Sequence, residues 1–381
     1  MKSTLIDLKS DNYNEEISGF LSRLLASGLV GSLLVPKKNT GGDNYVQALI
    51  KDPAMLADTD VTVPVMPVQS ARIIANLAVR EPGEVIGVVV KPCEVRAIVE
   101  LVKFQQIIRS AIMIIAVDCL GTYEPKVYSA MVKAGHHPAA DLRQKAAAGS
   151  FAPLDGYAFR SACDICEFPA PNPEVVDVVI GLWGVDTAKQ LCLAVRDELA
   201  DAFAAKDILA INGQEAPTRQ ECIDQLAKAR TANRDVVLGE FGQRIGSLKG
   251  MQELLSTCIR CHNCMINCPI CYCRECVFRS PTFEHTPDQY LSWAERKGAM
   301  RMPANTLMFH TTRLNHMVTS CIGCGLCDTA CPSDIPVMSL FRTVGMRAQQ
   351  AIEYLPGRSY DEPAPVTTYK EDELQDESGA R

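Results

Sequence analysis

Long apolar runs are missing from this sequence of 381 residues. The longest, such as residues 111–117, fall far short of the roughly 20 apolar residues that a membrane-spanning helix needs. The apolar fraction of 47% is nevertheless ordinary for a globular protein. We therefore expect a soluble protein with a sizeable buried core.

Basic charge is also scarce, and two common signals are missing. The formal net charge is −7, whereas nucleic-acid binding requires a basic face. The N-terminus has no charged segment followed by an apolar segment and a cleavage site, so we expect no secretory signal and a cytoplasmic location. The G-x-G-x-x-G fingerprint of dinucleotide-binding folds does not occur.

Cysteine, by contrast, is abundant, with 17 residues. Without export, so many cysteines indicate metal or redox chemistry instead of disulfides. Eight of them form two runs of the pattern C-x2-C-x2-C-x3-C-P, which are Cys258, Cys261, Cys264, Cys268 and Cys321, Cys324, Cys327, Cys331. In bacterial ferredoxins three cysteines of such a run bind one cubane cluster and the fourth binds the other. Structural zinc favours separated pairs, so the two runs predict two [4Fe–4S] clusters and one-electron transfer.

Three more cysteines follow the first run closely: Cys271, Cys273 and Cys276. They are either packing or tuning thiols, or ligands, including ligands of an additional cluster. Helical spacing at residues 287–296, 306–317 and 338–354 predicts a helical ferredoxin domain over residues 246–355. His310 and His316 lie on the second of these helices, and we expect packed or solvated histidines there instead of cluster ligands.

The N-terminal part alternates strand and helix signals. Residues 85–90 and 111–117 are short, β-branched apolar runs, while residues 95–108 and 124–134 have helical spacing. This order predicts an α/β domain with a partly parallel sheet over residues 1–245. Residues 177–185 predict a further strand, and residues 188–205 and 219–232 predict helices. Residues 356–381 contain an acidic, proline-containing tail that we expect to be flexible or to lie on a partner.

A second cysteine set belongs to this α/β domain. Cys93 and Cys119 each follow a predicted parallel strand, so both should lie at the same edge of the sheet, where ligands bind. Cys163 and Cys166 form a C-x2-C pair in a loop. Four thiolates would suffice for a third [4Fe–4S] cluster. Cys93 and Cys119 could equally be small buried hydrophobic residues, which is common for free cysteine.

Four segments of residues 1–245 resemble the beta subunits of coenzyme F420-reducing hydrogenase and of related formate dehydrogenases. They are Lys91-Pro92-Cys93-Glu94-Val95-Arg96, Asp118-Cys119-Leu120-Gly121-Thr122, Cys163-Asp164-Ile165-Cys166 and Ile180-Gly181-Leu182-Trp183-Gly184. The resemblance implies FAD and one [4Fe–4S] cluster, with Cys93, Cys119, Cys163 and Cys166 as the cluster's ligands. Three later segments are similar instead to the helical, two-cluster ferredoxin parts of heterodisulfide-reductase-type subunits: residues 258–276, residues 309–317 and the quartet that begins at Cys321.

The resemblance also implies cofactor-binding residues. Lys91 would meet the phosphates of FAD, helped by the positive end of the following helix. Gly121, Thr122, Gly181 and Gly184 would let the backbone approach the cofactor. A glycine-containing loop at residues 37–44 either contacts a phosphate or forms an ordinary turn.

Taken together, the sequence predicts an oxidoreductase subunit with FAD and three [4Fe–4S] clusters. It would exchange electrons between a hydride carrier and partner subunits of a formate dehydrogenase, hydrogenase or heterodisulfide-reductase-like complex. The alternative is a flavin-free electron relay that binds only protein partners. A scaffold for cluster assembly is a third hypothesis, but it would not need so many closed cluster sites.

Overall fold

A computed structural model describes residues 1–10, 12–283, 285–298 and 305–369 of the chain. Its strands are β1 (Lys2–Asp7), β2 (Ser32–Lys38), β3 (Tyr45–Ile50), β4 (Ile86–Val90), β5 (Ile112–Val117), β6 (Val178–Gly181) and β7 (Gln190–Val195). Its helices are α1 (Tyr13–Ala26), α2 (Ser70–Leu77), α3 (Pro92–Lys103), α4 (Pro125–Lys133), α5 (Pro138–Ala147), α6 (Ser161–Asp164), α7 (Asp197–Ala205), α8 (Arg219–Ile245), α9 (Leu248–Leu254), α10 (Asn263–Ile266), α11 (Pro287–Lys297), α12 (Thr306–Met317), α13 (Leu326–Thr329) and α14 (Val337–Ala351). Short 3-10 turns occupy Pro53–Leu56, Arg109–Ala111, Val277–Arg279, Pro281–Phe283, Val318–Ser320 and Pro365–Thr367.

The strands form one seven-stranded sheet in the order β1-β7-β6-β5-β4-β2-β3. Its centre, β6-β5-β4-β2, is parallel, and the outer pairs are antiparallel. All residues of β4 and β5 are buried, as expected for strands covered on both faces. The predicted α/β class with a partly parallel sheet is therefore confirmed.

One segment differs from its prediction. Residues 188–205, predicted to be a helix, divide into β7 and α7, and Cys192 lies in the strand. Strand β7 pairs with β1 from the start of the chain and with β6. Pairing on both sides keeps Leu191, Leu193 and Val195 buried, and this outweighs the local helical spacing.

Helices from the cysteine-rich half surround a separate apolar cluster. Leu255, Phe309, Leu340 and Phe341 belong to this cluster, and cysteines of both runs pack against it. Helix α8 extends 27 residues and packs against α14. This half also contacts the sheet, because Ile322 belongs to the core that covers β4, β5 and α3. The two halves of the chain are thus joined next to the end of β4.

Candidate metal centres and an adjoining cavity

Cys93 and Cys119 lie at the carboxyl edge of the parallel strands, as their spacing predicted. Strand β4 ends at Val90, and Cys93 follows in the first turn of α3. The Glu94 carboxylate accepts hydrogen bonds from the backbone N–H groups of Lys91 (2.9 Å) and Ser70 (2.8 Å), which fixes this turn. Cys119 follows β5, and its N–H donates to the Pro169 carbonyl at 2.8 Å.

All four cysteines of the N-terminal set line one cavity of about 420 Å³. We call it the thiol cavity; its other lining residues are Met66, Lys91, Pro92, Gly121, Thr122, Arg160, Ala162, Phe168, Arg230, Gly323 and Cys324. Cys163 lies on α6 and Cys166 follows the end of this helix, with Thr122 Oγ1 3.1 Å from Cys163 Sγ. The structure therefore gathers thiols that are up to 73 residues apart (93 to 166) in the sequence.

Cationic side chains surround these thiols. Lys91, Arg160 and Arg230 line the thiol cavity, and Arg230 Nη2 is buried without a hydrogen-bond partner among the described residues. Burial raises the pKa of Cys119 to about 11, which Lys91 partly opposes, and burial also raises the pKa of Cys166, which Arg230 opposes. Four thiolates on a cubane cluster carry net negative charge, so the donor set and the cations both fit a [4Fe–4S] group.

The two C-terminal runs are interleaved. The fourth cysteine of each run lies with cysteines of the other run. Burial raises the pKa of Cys258 and Cys264, and the neighbouring Cys331 raises it further. Burial likewise raises the pKa of Cys321, Cys324 and Cys327, and the neighbouring Cys268 raises it further. This arrangement of thiols is compatible with the exchange of fourth ligands that the ferredoxin run predicts. We call the set of Cys258, Cys261, Cys264 and Cys331 the outer quartet, and the set of Cys268, Cys321, Cys324 and Cys327 the inner quartet.

Helix α12 presents two buried side chains to the outer quartet. Arg313 Nη1 lies 3.1 Å from Cys264 Sγ, and Nη2 donates to the Cys264 carbonyl at 3.1 Å. His310 Nε2 lies 3.4 Å from Cys258 Sγ. Burial, together with the nearby Arg313 and His262, lowers the pKa of His310 to about 4, so its ring is neutral near pH 7. Both side chains are placed to donate hydrogen bonds to cluster sulfurs, which spacing along the sequence did not reveal.

The two runs share an unusual backbone. The residues two and four positions after the first cysteine have positive φ: Gly323 and Gly325 in one run, Arg260 and His262 in the other. Glycine adopts this conformation freely, whereas arginine and histidine are strained in it. The two runs therefore share one loop conformation, and the first run adopts it at Arg260 and His262 despite the backbone strain.

An apolar cavity adjoins the thiol cavity, and a polar cleft adjoins the apolar cavity in turn. The apolar cavity, of about 760 Å³, shares Met66 and Lys91 with the thiol cavity and is lined otherwise mostly by apolar side chains such as Val65, Ile73 and Val89. Gln47 Oε1 is buried there without a partner among the described residues. The polar cleft, of about 1670 Å³, shares Tyr45 with the apolar cavity. It is lined by, among others, Lys38, Asp43, Asp60, His136, His137 and Arg143.

The predicted flavin-binding residues fall into two groups. Lys91, Gly121 and Thr122 line the thiol cavity, and Lys91 Nζ donates to the Val63 carbonyl at 2.9 Å. Gly181 and Gly184 have another neighbour, the start of α8, where an added Cβ would meet Arg219 and Thr218. For these two glycines the close backbone approach is explained by packing, and flavin contact stays a prediction.

Sequence reasoning missed the arginines of both sites. Arg160 and Arg230 face the thiol cavity from a loop and from α8, and Arg313 faces the outer quartet from α12. Helical spacing puts His310 and Arg313 on one face of α12, and this spacing is the sequence signal that could have indicated a shared role. Nothing local in the sequence indicates which elements that face contacts.

Within the part of the chain that the structure describes, no three His, Cys, Asp or Glu side chains converge as they would on a single metal ion. A cubane cluster binds each thiolate through a different iron atom, so its cysteines are spread around a larger space. None of the described helices is both long and apolar enough to cross a membrane.

Comparisons with known proteins agree with this geometry. Residues 253–335 match the family described as the 4Fe-4S dicluster domain. The F420-dependent formate dehydrogenase subunit beta of Methanocaldococcus jannaschii is 25% identical over 366 residues, covering 90% of this chain and 91% of the relative. The F420-dependent formate dehydrogenase 1 subunit beta of Methanococcus maripaludis is 25% identical over 379 residues, covering 92% and 91%.

A chain of the solved F420-reducing [NiFe] hydrogenase complex from Methanosarcina barkeri superposes on 65% of this chain and 94% of its own length, with 10% identity and a TM-score of 0.47. The predicted resemblance to the formate dehydrogenase beta subunits is confirmed by the two sequence relatives, and at nine-tenths coverage it extends beyond residue 245. These relatives are subunits of oxidoreductases, and the dicluster match supports iron–sulfur clusters in the C-terminal half.

Proposed function

We propose that this chain is a flavin-binding, iron–sulfur electron-transfer subunit of an oxidoreductase complex similar to F420-dependent formate dehydrogenase. One observation supports it most: the apolar cavity and the thiol cavity share Met66 and Lys91. A two-electron cofactor in the first cavity would therefore lie next to a one-electron cofactor in the second.

The cavities fit the two ends of FAD. The apolar cavity has the size and lining of a site for a planar ring system. The polar cleft offers Lys38, Arg143 and two histidines to a negatively charged diphosphate. A flavin supplies exchange between two-electron and one-electron carriers. The Lys91 side chain, whose Nζ donates to the Val63 carbonyl, lies between the proposed flavin site and the thiols.

The cysteines divide among three [4Fe–4S] sites: the thiol cavity, the inner quartet and the outer quartet. Cys324 of the inner quartet also lines the thiol cavity, so these two sites are adjacent. Fourth ligands exchanged between the runs make the inner and outer quartets adjacent as well. The residues thus form one path from the apolar cavity through the thiol cavity and the inner quartet to the outer quartet.

The outer quartet is the end of this path nearest to solvent. Cys261 is exposed, and Ile259 in the same run is 67% exposed. An exposed apolar side chain in the run that carries an exposed cluster ligand suits the docking of a partner subunit. The hydride carrier would be the deazaflavin F420 or a nicotinamide, approaching the opposite end.

The experiment measures FAD binding to the anaerobically prepared, cluster-loaded chain. Ile73 is half-buried on α2 and lines the apolar cavity, so Ile73→Trp fills the cavity without entering the fully buried core. We expect it to weaken FAD binding at least about tenfold, corresponding to 1.4 kcal/mol. Leu77→Trp, on the same helix and equally half-buried, is the matched control. A wild-type chain that neither retains nor rebinds FAD would leave the flavin-free relay as the function.

A further inference from the structure

Three cysteines outside the quartets and the thiol cavity gather around a cavity of their own. Cys271, Cys273 and Cys276 line a cavity of about 760 Å³ between the first run and α12. We call it the trio cavity. It is larger than the thiol cavity, which is about 420 Å³ by the same measure. Cys271 and Cys276 are half-buried, and Cys273 is exposed.

The loop that carries the trio is held in place. The Tyr272 ring stacks on Phe104, which follows α3, with centroids 5.1 Å apart. Arg72 Nη1 donates to the carbonyls of Cys268 at 3.1 Å and Cys271 at 3.4 Å. The thiols are thus presented to the cavity by a loop tied to α2 and to the end of α3.

Positive side chains surround the trio as they surround the thiol cavity. Arg72, Arg279 and Arg313 line the trio cavity, and Glu275 is its one carboxylate among the described residues. Arg313 Nε is buried without a hydrogen-bond partner there. Cysteines with surplus guanidinium groups suit a metal–thiolate centre of net negative charge. A single metal ion would require the three thiols to converge on one point. Among the described residues, neither the trio nor the quartets converge in this way.

We propose that Cys271, Cys273 and Cys276 bind a fourth iron–sulfur cluster, a [4Fe–4S] group held by three thiolates with its remaining iron facing the open side of the trio cavity. The three thiols release their protons to solvent as they bind iron. Cys271 follows Cys268 by three residues, so their Cα atoms are at most about 11 Å apart. The fourth cluster would therefore exchange single electrons with the inner quartet's cluster. This inference goes beyond the proposed function, which needs three clusters.

The test is the iron and sulfide content of the full chain, reconstituted anaerobically with ferric and ferrous iron in equal amounts and with sulfide. We expect about 16 iron atoms per wild-type chain and about 12 in the triple variant Cys271→Ser, Cys273→Ser, Cys276→Ser. Cys222→Ser, which removes a half-buried cysteine packed against the sheet core, is the matched control and should keep the wild-type content. Equal iron in the triple variant and the wild type would overturn the proposal. So would zinc that is present in the wild type and absent from the variant.

Two further variants separate other causes of iron loss. If the triple variant loses about eight iron atoms, the inner cluster has gone as well. The exposed single variant Cys273→Ser then decides: loss of about four supports the site, and no loss overturns it. The double variant Cys93→Ser, Cys119→Ser should lose about four iron atoms of its own, so a missing third cluster is distinguished from a missing fourth.

Discussion

Arg313 is the side chain whose role is most sharply defined at the scale of single residues. It is buried on α12 and placed to donate a hydrogen bond to Cys264 Sγ. Hydrogen bonds to cluster sulfurs favour the more negative, reduced cluster and so raise its potential. We expect Arg313→Met to lower the potential of the outer cluster by about 60 mV, which is about 1.4 kcal/mol for one electron. A redox titration followed by EPR measures the shift.

Arg279→Met is the control for this experiment. Arg279 contributes positive charge to the neighbouring trio cavity, but it makes no hydrogen bond to Cys264. A purely electrostatic effect would lower the potential similarly in both variants. An unchanged potential in Arg313→Met, with full iron content, would contradict the role in tuning.

Gly325 tests the backbone of the second run. Its φ is +73°, and an added Cβ would lie 2.4 Å from Ala162 Cβ, next to Cys163 of the thiol cavity. Gly325→Ala should destabilise the folded chain by about 2 kcal/mol, because it combines backbone strain with a steric clash. Anaerobic urea unfolding measures this. Gly239→Ala, at an open position inside α8, should instead leave stability unchanged or raise it by up to about 1 kcal/mol.

The cysteines show how far single residues could be assigned from sequence. Fixed spacing within a run was enough to group the quartets and to predict the exchange of fourth ligands. The edge rule for parallel strands was enough to bring Cys93 and Cys119 together. His310, Arg313 and Arg230 escaped prediction because their importance depends on which buried face each helix presents, and that is set by tertiary packing.

At the scale of elements, the junction between the two halves depends on Glu167. It lies just after Cys166 and pairs with Arg342 on α14 at 2.7 Å and with Arg234 on α8 at 2.9 Å. Glu167→Gln leaves the buried Arg342 guanidinium without a counter-charge, whereas Arg234 keeps its ion pair with Asp235. We expect a loss of about 3 kcal/mol in unfolding free energy, measured by anaerobic denaturation.

The exposed pair of Glu253 and Lys249 is the matched comparison. These side chains are 65% and 85% exposed and lie 3.8 Å apart on α9. Glu253→Gln should change the unfolding free energy by less than about 0.5 kcal/mol, because exposed ion pairs contribute little. Similar small effects for both substitutions would show that the junction does not depend on Glu167.

The elements themselves were predictable where local and tertiary preferences agree. Strands β4 and β5 and helix α12 match the predicted segments closely, because apolar periodicity and burial coincide there. Helix α11 also matches its prediction, but it buries no residue and begins instead with a local capping box of Thr286 and Gln289. Strands β1 and β7 were missed because each is defined by pairing with a strand nearly two hundred residues away, as between Lys2 and Val195. Local spacing holds no information on such a partner.

At the scale of the whole molecule, the proposed function requires electrons to pass from the flavin site to the quartets through the thiol cavity. The double variant Cys93→Ser, Cys119→Ser removes two of its four thiols but leaves the lining of the apolar cavity intact. It should bind FAD and keep both quartet clusters. Dithionite, which reaches the exposed outer quartet directly, should still reduce those clusters.

Reduced F420 and NADH, each tested as hydride donor, should then reduce the FAD of the double variant but not its remaining clusters, as followed by absorbance. Ile259→Lys is the complementary variant, because it alters the exposed rim of the outer quartet. It should allow every cluster to be reduced by the active donor and impair only transfer to the partner subunit. If that donor reduces the quartets of the double variant at the wild-type rate, electrons do not pass through the thiol cavity, and the proposed order of the path is wrong.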